Sequence, residues 1–225
     1  MVRVGVLALQ GAFREHLLML GSLGAEARKV TRPQHLDGLD AIVLPGGEST
    51  AMVRIASGTD LFAHLRERIA HGLPVFGTCA GLILLADRLS DDSLGGYERL
   101  GGLDITVARN AYGRQGESFT AGLSVEGCDS SFKGTFIRAP QIIDFAPGTE
   151  VLARHEDRPV FVRQGNVWGA SFHPELGGDL RIHAEFLRNV TATVTTPAAA
   201  VLPRSGAARG SLRGRLRPAV PVPGS

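Results

Sequence analysis

The first 90 residues alternate between short apolar segments and longer segments with helical periodicity, and this alternation most restricts the folds open to the chain. Apolar segments of strand length lie at 2–9, 40–44 and 74–77, and residues 25–30 predict a further, more exposed strand. Helical patterns lie at 13–20, 49–56, 61–71 and 80–89. Strands that alternate with helices form a parallel sheet with right-handed crossovers. The sequence therefore predicts an α/β fold with a mixed, mostly parallel central sheet flanked by helices.

The second half of the chain changes character and predicts an antiparallel extension of that sheet. Short strands are predicted at 105–109, 119–125, 135–138, 151–155, 160–163 and 167–172. Gln164-Gly165-Asn166 is a hairpin turn between the last two strands. A closing helix over 180–190 completes one folded domain, residues 1–190.

The last 35 residues differ from this domain in charge and composition. Residues 191–225 carry five arginines and no acidic residue, with five prolines and no periodic apolar face. Such a segment buries too little surface to offset its ordering entropy, so we predict a disordered Arg/Ala/Pro-rich tail. The alternative is a basic arm that contacts an anionic partner.

Composition excludes several functional classes. Without the tail, 19 basic and 22 acidic residues leave a net charge of about −3, which does not favour nucleic-acid binding. No run approaches the roughly 18 apolar residues that a membrane helix needs, and the N-terminus has no secretory pattern. Two cysteines cannot build a disulfide framework, so we expect a cytoplasmic protein.

The junction between the fourth strand and its helix, Gly77-Thr78-Cys79-Ala80-Gly81, predicts a nucleophile. Two glycines permit the tight strand-to-helix turn that lifts the central side chain above the sheet. The helix N-terminus then stabilises a thiolate at Cys79. The alternative is a small buried residue with no chemical role.

His173 and Glu175 are the predicted partners of this cysteine. His173 follows a strand, and in extended backbone residues 173 and 175 point to one side, so that Glu175 can orient the imidazole. Cysteine, histidine and acid together form a base-activated nucleophile with an oriented base. The remaining histidines have no such neighbour, and we interpret them as surface or packing residues: His16, His35, His64, His71, His155 and His183.

Pro45-Gly46-Gly47-Glu48 follows the third strand and brings bare backbone amides to the ligand-binding edge of the sheet. These amides could hold an oxyanion or a phosphate, or the segment could be a simple turn. No Gly-Lys-Ser/Thr continuation supports phosphate binding.

Together these segments resemble the class I, triad-type glutamine amidotransferases, which have a flavodoxin-like fold. Within them, the chain is similar to the glutaminase subunits of pyridoxal 5′-phosphate synthase. Residues 1 to about 190 carry the resemblance, and Ile83 stands where many other class I glutaminases have glutamine. The matching segments are 9–13 with 15–16, 45–50, 77–83, 109–115, 136–140 and 172–175. The arginine-rich tail departs from the family pattern.

The resemblance implies that Cys79, His173 and Glu175 hydrolyse L-glutamine to L-glutamate and ammonia through a Cys79 thioester. It implies an oxyanion hole formed by the backbone N–H groups of Gly47 and Ala80. It also implies a glutamine site formed by Gly47, Glu48, Ser49, Arg109, Ile137 and Arg138. Arginine suits a substrate carboxylate, and an acid such as Glu48 can offset an ammonium group.

The implied partner is the lyase subunit of pyridoxal 5′-phosphate synthase, in a hetero-oligomer that receives the ammonia. No metal and no organic cofactor is implied, and no contact with nucleic acid or membrane. We also expect the partner to switch on catalysis by reorienting a peptide in the 45–47 segment. Two alternatives remain: the glutaminase subunit of another amidotransferase, and a non-catalytic binding or chaperone-like protein with a redox-sensing Cys79.

Overall fold

A computed structural model describes residues 1–91, 94–109 and 118–195 of the chain. The strands are β1 (Arg3–Leu7), β2 (Glu26–Val30), β3 (Ala41–Leu44), β4 (Val75–Thr78), β5 (Ala86–Leu89), β6 (Leu103–Ala108), β7 (Phe119–Leu123), β8 (Phe132–Phe136), β9 (Gln141–Phe145), β10 (Glu150–His155), β11 (Arg158–Gln164) and β12 (Val167–Ala170). The helices are α1 (Phe13–Ser22), α2 (Ser49–Ala56), α3 (Leu61–Ala70), α4 (Ala80–Leu85) and α5 (Arg181–Thr195). Short 3-10 helices cover Pro33–Leu36 and Pro174–Leu176.

The central sheet has seven strands in the order β10-β11-β12-β4-β3-β1-β2. The five strands from β12 to β2 are mutually parallel, and β11 runs antiparallel to both of its neighbours. The predicted mixed, mostly parallel sheet with an antiparallel extension is therefore confirmed.

Three parallel strands end together and define the edge at which ligands bind in such sheets. Leu44 of β3 pairs with Gly77 of β4, and Ala170 of β12 pairs with Thr78. All residues of these three strands are buried, because helices or further strands cover both faces of the sheet. The loops that follow them are thus held on a rigid base.

Both faces of the sheet contribute to the core. One buried cluster contains Leu44 with Met52 and Leu65 of the helices α2 and α3. The other contains Phe76 and Trp168 with Phe186 of α5, and the Phe76 and Phe186 rings lie 5.6 Å apart. Among the described residues, no helix is long and apolar enough to cross a membrane.

The helix predicted over 80–89 is shorter than expected. It ends at Leu85, and residues 86–89 form β5, which pairs in parallel with β6. Strand β9 was not predicted, and it pairs antiparallel with β6 in the same small sheet. Pairing with a distant strand supplies hydrogen bonds that local helical preference does not reveal.

The last helix extends beyond the expected end at residue 190. Helix α5 continues to Thr195, and the hydroxyls of Thr191 and Thr195 donate to carbonyls four residues back. Thr193 also donates to the Asn166 side chain at 3.4 Å. The remainder of the predicted tail, residues 196–225, lies outside the described residues.

Candidate active site

Cys79 occupies a strained turn between β4 and α4. Its backbone has φ 48° and ψ −101°, a left-handed conformation that non-glycine residues rarely adopt and that concentrates at functional sites. A Cβ on Gly77 would lie 2.6 Å from the Gly81 backbone, and a Cβ on Gly81 would lie 2.1 Å from the Leu44 carbonyl oxygen. Both glycines are therefore required for the close packing of this turn.

The Cys79 side chain is held between two elements. Only 6% of the residue is exposed, and Sγ lies 3.8 Å from the carbonyl oxygen of Ile137. The side chain also lies close enough to the His173 imidazole to raise the pKa of that ring. Both cysteines of the chain are free, and Cys79 is the buried one.

His173 and Glu175 form the predicted pair behind the cysteine. Nδ1 of His173 lies 2.7 Å from Oε1 of Glu175, which leaves Nε2 to face Cys79. The His173 N–H donates to the carbonyl of Thr135 at 2.8 Å, which fixes the backbone between β8 and the Pro174–Leu176 turn. Burial lowers the pKa of His173, but hydrogen bonds to Cys79 and Glu175 outweigh it and raise that pKa to about 10. The imidazole therefore holds a proton readily.

Two histidines that sequence analysis placed among surface or packing residues lie directly behind Glu175. Nε2 of His16, on α1, is 3.4 Å from Oε2 of Glu175 and 3.1 Å from Oγ1 of Thr78. Nδ1 of His16 is 2.8 Å from Nε2 of His183, on α5. Both histidines are fully buried. The only signal in the sequence is their position on the apolar faces of two amphipathic helices, which does not reveal their partners.

The 45–48 segment packs against His173 and against the turn after β1. A Cβ on Gly46 would lie 2.1 Å from Cε1 of His173. The Gly46 carbonyl accepts a hydrogen bond from the Ala12 N–H at 3.0 Å. The Glu48 N–H donates to Oε1 of Gln10 at 2.7 Å. Residues 10–12 therefore set the orientation of the Gly46-Gly47 peptide.

Glu48 and Arg109 form an ion pair at the start of α2. The Glu48 carboxylate caps this helix, accepting from the Thr50 and Ala51 N–H groups at 3.0 and 2.6 Å. Nη2 of Arg109 lies 3.1 Å from Oε1 of Glu48. Burial opposes ionisation, but these two N–H bonds and Arg109 outweigh it and lower the pKa of Glu48. One cation and one anion are thus fixed side by side.

A cavity of about 340 Å³ opens beside Cys79 and His173. Cys79 and His173 line it, together with the six predicted glutamine contacts: Gly47, Glu48, Ser49, Arg109, Ile137 and Arg138. Gln10, Ile83 and Pro140 also line it and were not predicted as substrate contacts. The buried hydroxyl of Ser49 makes no hydrogen bond with another described residue, so it is available to a ligand.

Ala80, the second predicted oxyanion donor, directly follows Cys79 at the first position of α4. Backbone N–H groups in the first turn of a helix have no partner within the helix, so this N–H can meet a developing negative charge. Within 1–91, 94–109 and 118–195, no group of three His, Cys, Asp or Glu residues could hold a metal ion. Residues 110–115 of the predicted signature lie outside the described part of the chain.

Comparison with known proteins gives consistent results. Residues 6–192 match the SNO glutamine amidotransferase family. Pyridoxal 5′-phosphate synthase subunit PdxT of a Nocardioides species is 52% identical over 193 residues, 84% of this chain and 96% of that protein. The PdxT subunit of Thermosipho africanus is 48% identical, over 84% of this chain and 99% of that protein.

Solved structures also resemble this one. A crystal structure described as a glutamine amidotransferase is 50% identical, with a TM-score of 0.79 over 84% of this chain and 98% of that one. PurLQS from Thermotoga maritima is 19% identical, with a TM-score of 0.58 over 86% of this chain and 97% of that one, and this likeness shows the fold alone.

Proposed function

Since the chain belongs to the SNO glutamine amidotransferase family, we propose that the cavity beside Cys79 is its glutamine site and that Cys79, His173 and Glu175 carry the reaction. The chain is a glutaminase that hydrolyses L-glutamine to L-glutamate and ammonia for the synthesis of pyridoxal 5′-phosphate. The observation that supports the residue assignment best is the strained Cys79 turn, which shares a cavity with a histidine that a buried carboxylate orients.

The reaction begins when the Cys79 sulfur attacks the side-chain amide carbon of glutamine. His173, whose pKa is raised, already carries the proton given up by the sulfur, and it carries it at Nε2, since Nδ1 is held by Glu175. It then delivers that proton to the leaving nitrogen, which departs as ammonia. Water attacks the resulting thioester, loses a proton to His173, and releases glutamate and the free thiol. Glu175 stabilises the imidazolium that forms in both halves of the reaction.

Backbone N–H groups of Gly47 and Ala80 stabilise the tetrahedral oxyanion. Both lie beside Cys79, one across the cavity and one at the start of α4. Loss of one such donor costs about 10²–10³ in rate in comparable sites. Placement of the Gly47 donor depends on the peptide that the turn at residues 10–12 holds.

The fixed ion pair of Arg109 and Glu48 matches the zwitterionic end of glutamine. An α-carboxylate is attracted by a guanidinium, and an α-ammonium by a carboxylate. Ser49, Ile137 and Arg138 complete the cavity around the rest of the substrate. The same cavity leaves the amide end of a bound glutamine beside Cys79.

The partner that consumes the ammonia is the lyase subunit of pyridoxal 5′-phosphate synthase, in a hetero-oligomer with this chain. The relatives from Nocardioides and Thermosipho africanus are subunits of such a synthase, which supports this assignment. The partner docks on the face that carries residues 10–11 and 46–47, where contact can turn the Gly46-Gly47 peptide into its catalytic orientation. Two free thiols fit a reducing compartment, so the complex resides in the cytoplasm. Residues 1–195 form the glutaminase unit.

Steady-state glutamate release tests this function, with the full chain alone and with increasing synthase subunit. We expect slow release alone and a rise of about tenfold or more with the partner, because a displaced oxyanion donor costs at least that much. Cys79→Ala abolishes release, and Cys128→Ala is the matched control that retains it. Equal rates with and without the synthase contradict the partner's role in gating, and activity in Cys79→Ala contradicts the site itself.

A further inference from the structure

A row of buried polar side chains lies behind Glu175, and none of them takes part in the glutaminase reaction itself. Glu175 has its side chain fully buried, and only Oε1 is engaged by His173. Its second oxygen, Oε2, has no hydrogen-bond donor in ordinary range among the described residues. Nε2 of His16 lies 3.4 Å from it. A buried carboxylate oxygen without a hydrogen-bond donor carries a large desolvation cost, and a neighbouring N–H group offsets part of that cost.

We propose that His16 is a positioning residue for glutamine hydrolysis: its Nε2–H holds the second oxygen of Glu175, with His183 fixing the tautomer of His16 from behind. This inference rests on the proposed role of Glu175. It adds a fourth and a fifth residue to the machinery, from the helices α1 and α5.

The distances select one arrangement of protons. If Nε2 of His16 carried no proton, its lone pair would lie 3.4 Å from a carboxylate oxygen, and the two would repel each other. Nε2 therefore carries the proton; it lies 3.1 Å from the Thr78 hydroxyl and 3.4 Å from Oε2 of Glu175. Nδ1 of His16 must then accept, and the Nε2–H of His183 at 2.8 Å is its donor.

His183, at the other end of this row of side chains, is consistent with the same arrangement of protons. Nδ1 of His183 makes no hydrogen bond with any described residue. A buried acceptor without a partner is more tolerable than a buried N–H without one, so the proton of His183 belongs on Nε2. Burial lowers the pKa of His183 to about 4, and burial with the nearby His183 and His173 holds the pKa of His16 well below its usual range. Both rings are neutral, so each carries a proton on only one of its two nitrogens.

The consequence for catalysis is that Glu175 keeps the orientation in which it contacts His173. The titratable groups that face Glu175 are His173 and His16, with Cys79 beyond the first and His183 beyond the second. A carboxylate that loses this neighbour rotates more freely, and that rotation weakens its hold on the His173 imidazolium.

Two substitutions at one position separate this role from mere packing. In His16→Gln the amide N–H₂ replaces the Nε2 donor, whereas in His16→Asn the side chain is polar but too short to reach Glu175. We expect His16→Gln to keep kcat within about threefold, and His16→Asn to lose tenfold or more in kcat with the glutamine KM little changed. His35→Asn is the control, because Asn can still accept from the Thr31 N–H that His35 accepts at 3.2 Å.

The assays use the full chain with the synthase subunit present, and a double-substitution cycle distinguishes this inference from the proposed function. If His16 acts through Glu175, then His16→Asn costs little more once Glu175→Gln is in place. Multiplicative losses, or equal activity of the Gln and Asn variants, overturn the role of His16. Full activity in Glu175→Gln alone instead overturns the proposed triad.

A measurement on the unaltered chain covers the case in which His16→Asn fails to fold. Nitrogen-15 chemical shifts of the imidazoles report which ring nitrogen carries the proton. We expect the Nε2–H tautomer for both His16 and His183 at neutral pH. An Nδ1–H tautomer at His16 overturns the proposal.

Discussion

Substitution of Gly11 by alanine tests whether the turn after β1 controls catalysis from outside the cavity. Gly11 has φ 93°, and a Cβ there would lie 1.9 Å from the Gly46 carbonyl oxygen. Real Cβ atoms essentially never approach a heavy atom within 3.0 Å, so the Gly46 carbonyl must retreat by about 1.1 Å. The Gly46-Gly47 peptide carries one of the proposed oxyanion donors, and it moves with this carbonyl.

The expected effects on stability and on rate differ in size. The left-handed backbone costs about 1–2 kcal/mol for alanine, and loss of the Ala12 to Gly46 hydrogen bond costs about 1 kcal/mol more. We therefore expect a loss of about 2–3 kcal/mol in the free energy of unfolding. A displacement of about 1 Å in a catalytic group costs on the order of 100-fold in rate, so kcat should fall by about that factor.

The assay combines urea unfolding with glutaminase kinetics over a range of synthase concentrations. Weakened docking then raises the synthase concentration needed, whereas a displaced oxyanion donor lowers the plateau rate. Gly21→Ala is the matched control, because Gly21 lies in α1 and a Cβ there meets nothing within 4 Å. It should stabilise the chain by about 0.5–1 kcal/mol and leave kcat unchanged.

A folded Gly11→Ala chain with the kcat of the unaltered protein would refute the reasoning. It would mean that the Gly46-Gly47 peptide carries no oxyanion donor, or that it moves without cost. A fall in kcat for Gly21→Ala of the same size would show that any change near α1 has this effect.

Three further predictions concern the reactive thiol, its base and the C-terminal segment. A glutamine-mimicking electrophile should label Cys79 stoichiometrically and not Cys128, whose pKa is raised by burial; mass spectrometry that finds Cys128 modified and Cys79 intact contradicts the assignment. Because the pKa of His173 is raised to about 10 from an ordinary value of about 6.5, its contribution to stability is complete below pH 6.5 and is lost as the pH rises through 10. Between pH 7 and pH 10, the free energy of unfolding measured in urea should fall by less in Cys79→Ala than in the unaltered chain. The expected difference is roughly 1 kcal/mol or more, since one pKa unit is about 1.4 kcal/mol. An identical fall in both proteins argues against an interaction between Cys79 and His173. Deletion of residues 196–225 should keep glutamate release and synthase binding within a few-fold, because helix α5 ends at Thr195 and every proposed catalytic group lies before it; binding that is lost and returns at low salt identifies a basic docking arm.

Much of the fold follows from local sequence patterns. Apolar segments separated by amphipathic ones predicted β1, β3 and β4 and their parallel direction, because a strand buried on both faces must be nearly all apolar. The Gly-x-Cys-x-Gly junction predicted the turn at Cys79, since few residues other than glycine allow such close backbone packing. His173 and Glu175 were predicted as a pair from their spacing of two, and the structure places them 2.7 Å apart.

Other features depend on contacts between distant parts of the chain. Residues 86–89 have helical periodicity but form β5, because β6 offers them a hydrogen-bonding edge. Strand β9 exists for the same reason. Intrinsic helix propensities differ by a few tenths of a kcal/mol per residue, and the free energy gained by pairing with a neighbouring strand is larger.

The sequence by itself predicted the proposed reactive groups, and the tertiary structure decided which groups lie behind them. Cysteine, histidine and glutamate are recognised by motif because each lies in a local turn of fixed geometry. His16 and His183 are 167 positions apart, and they meet only because the helices α1 and α5 pack on the same face of the sheet. No local sequence pattern predicts this contact, since a buried histidine on an apolar helix face has the same sequence context whether or not another polar side chain contacts it.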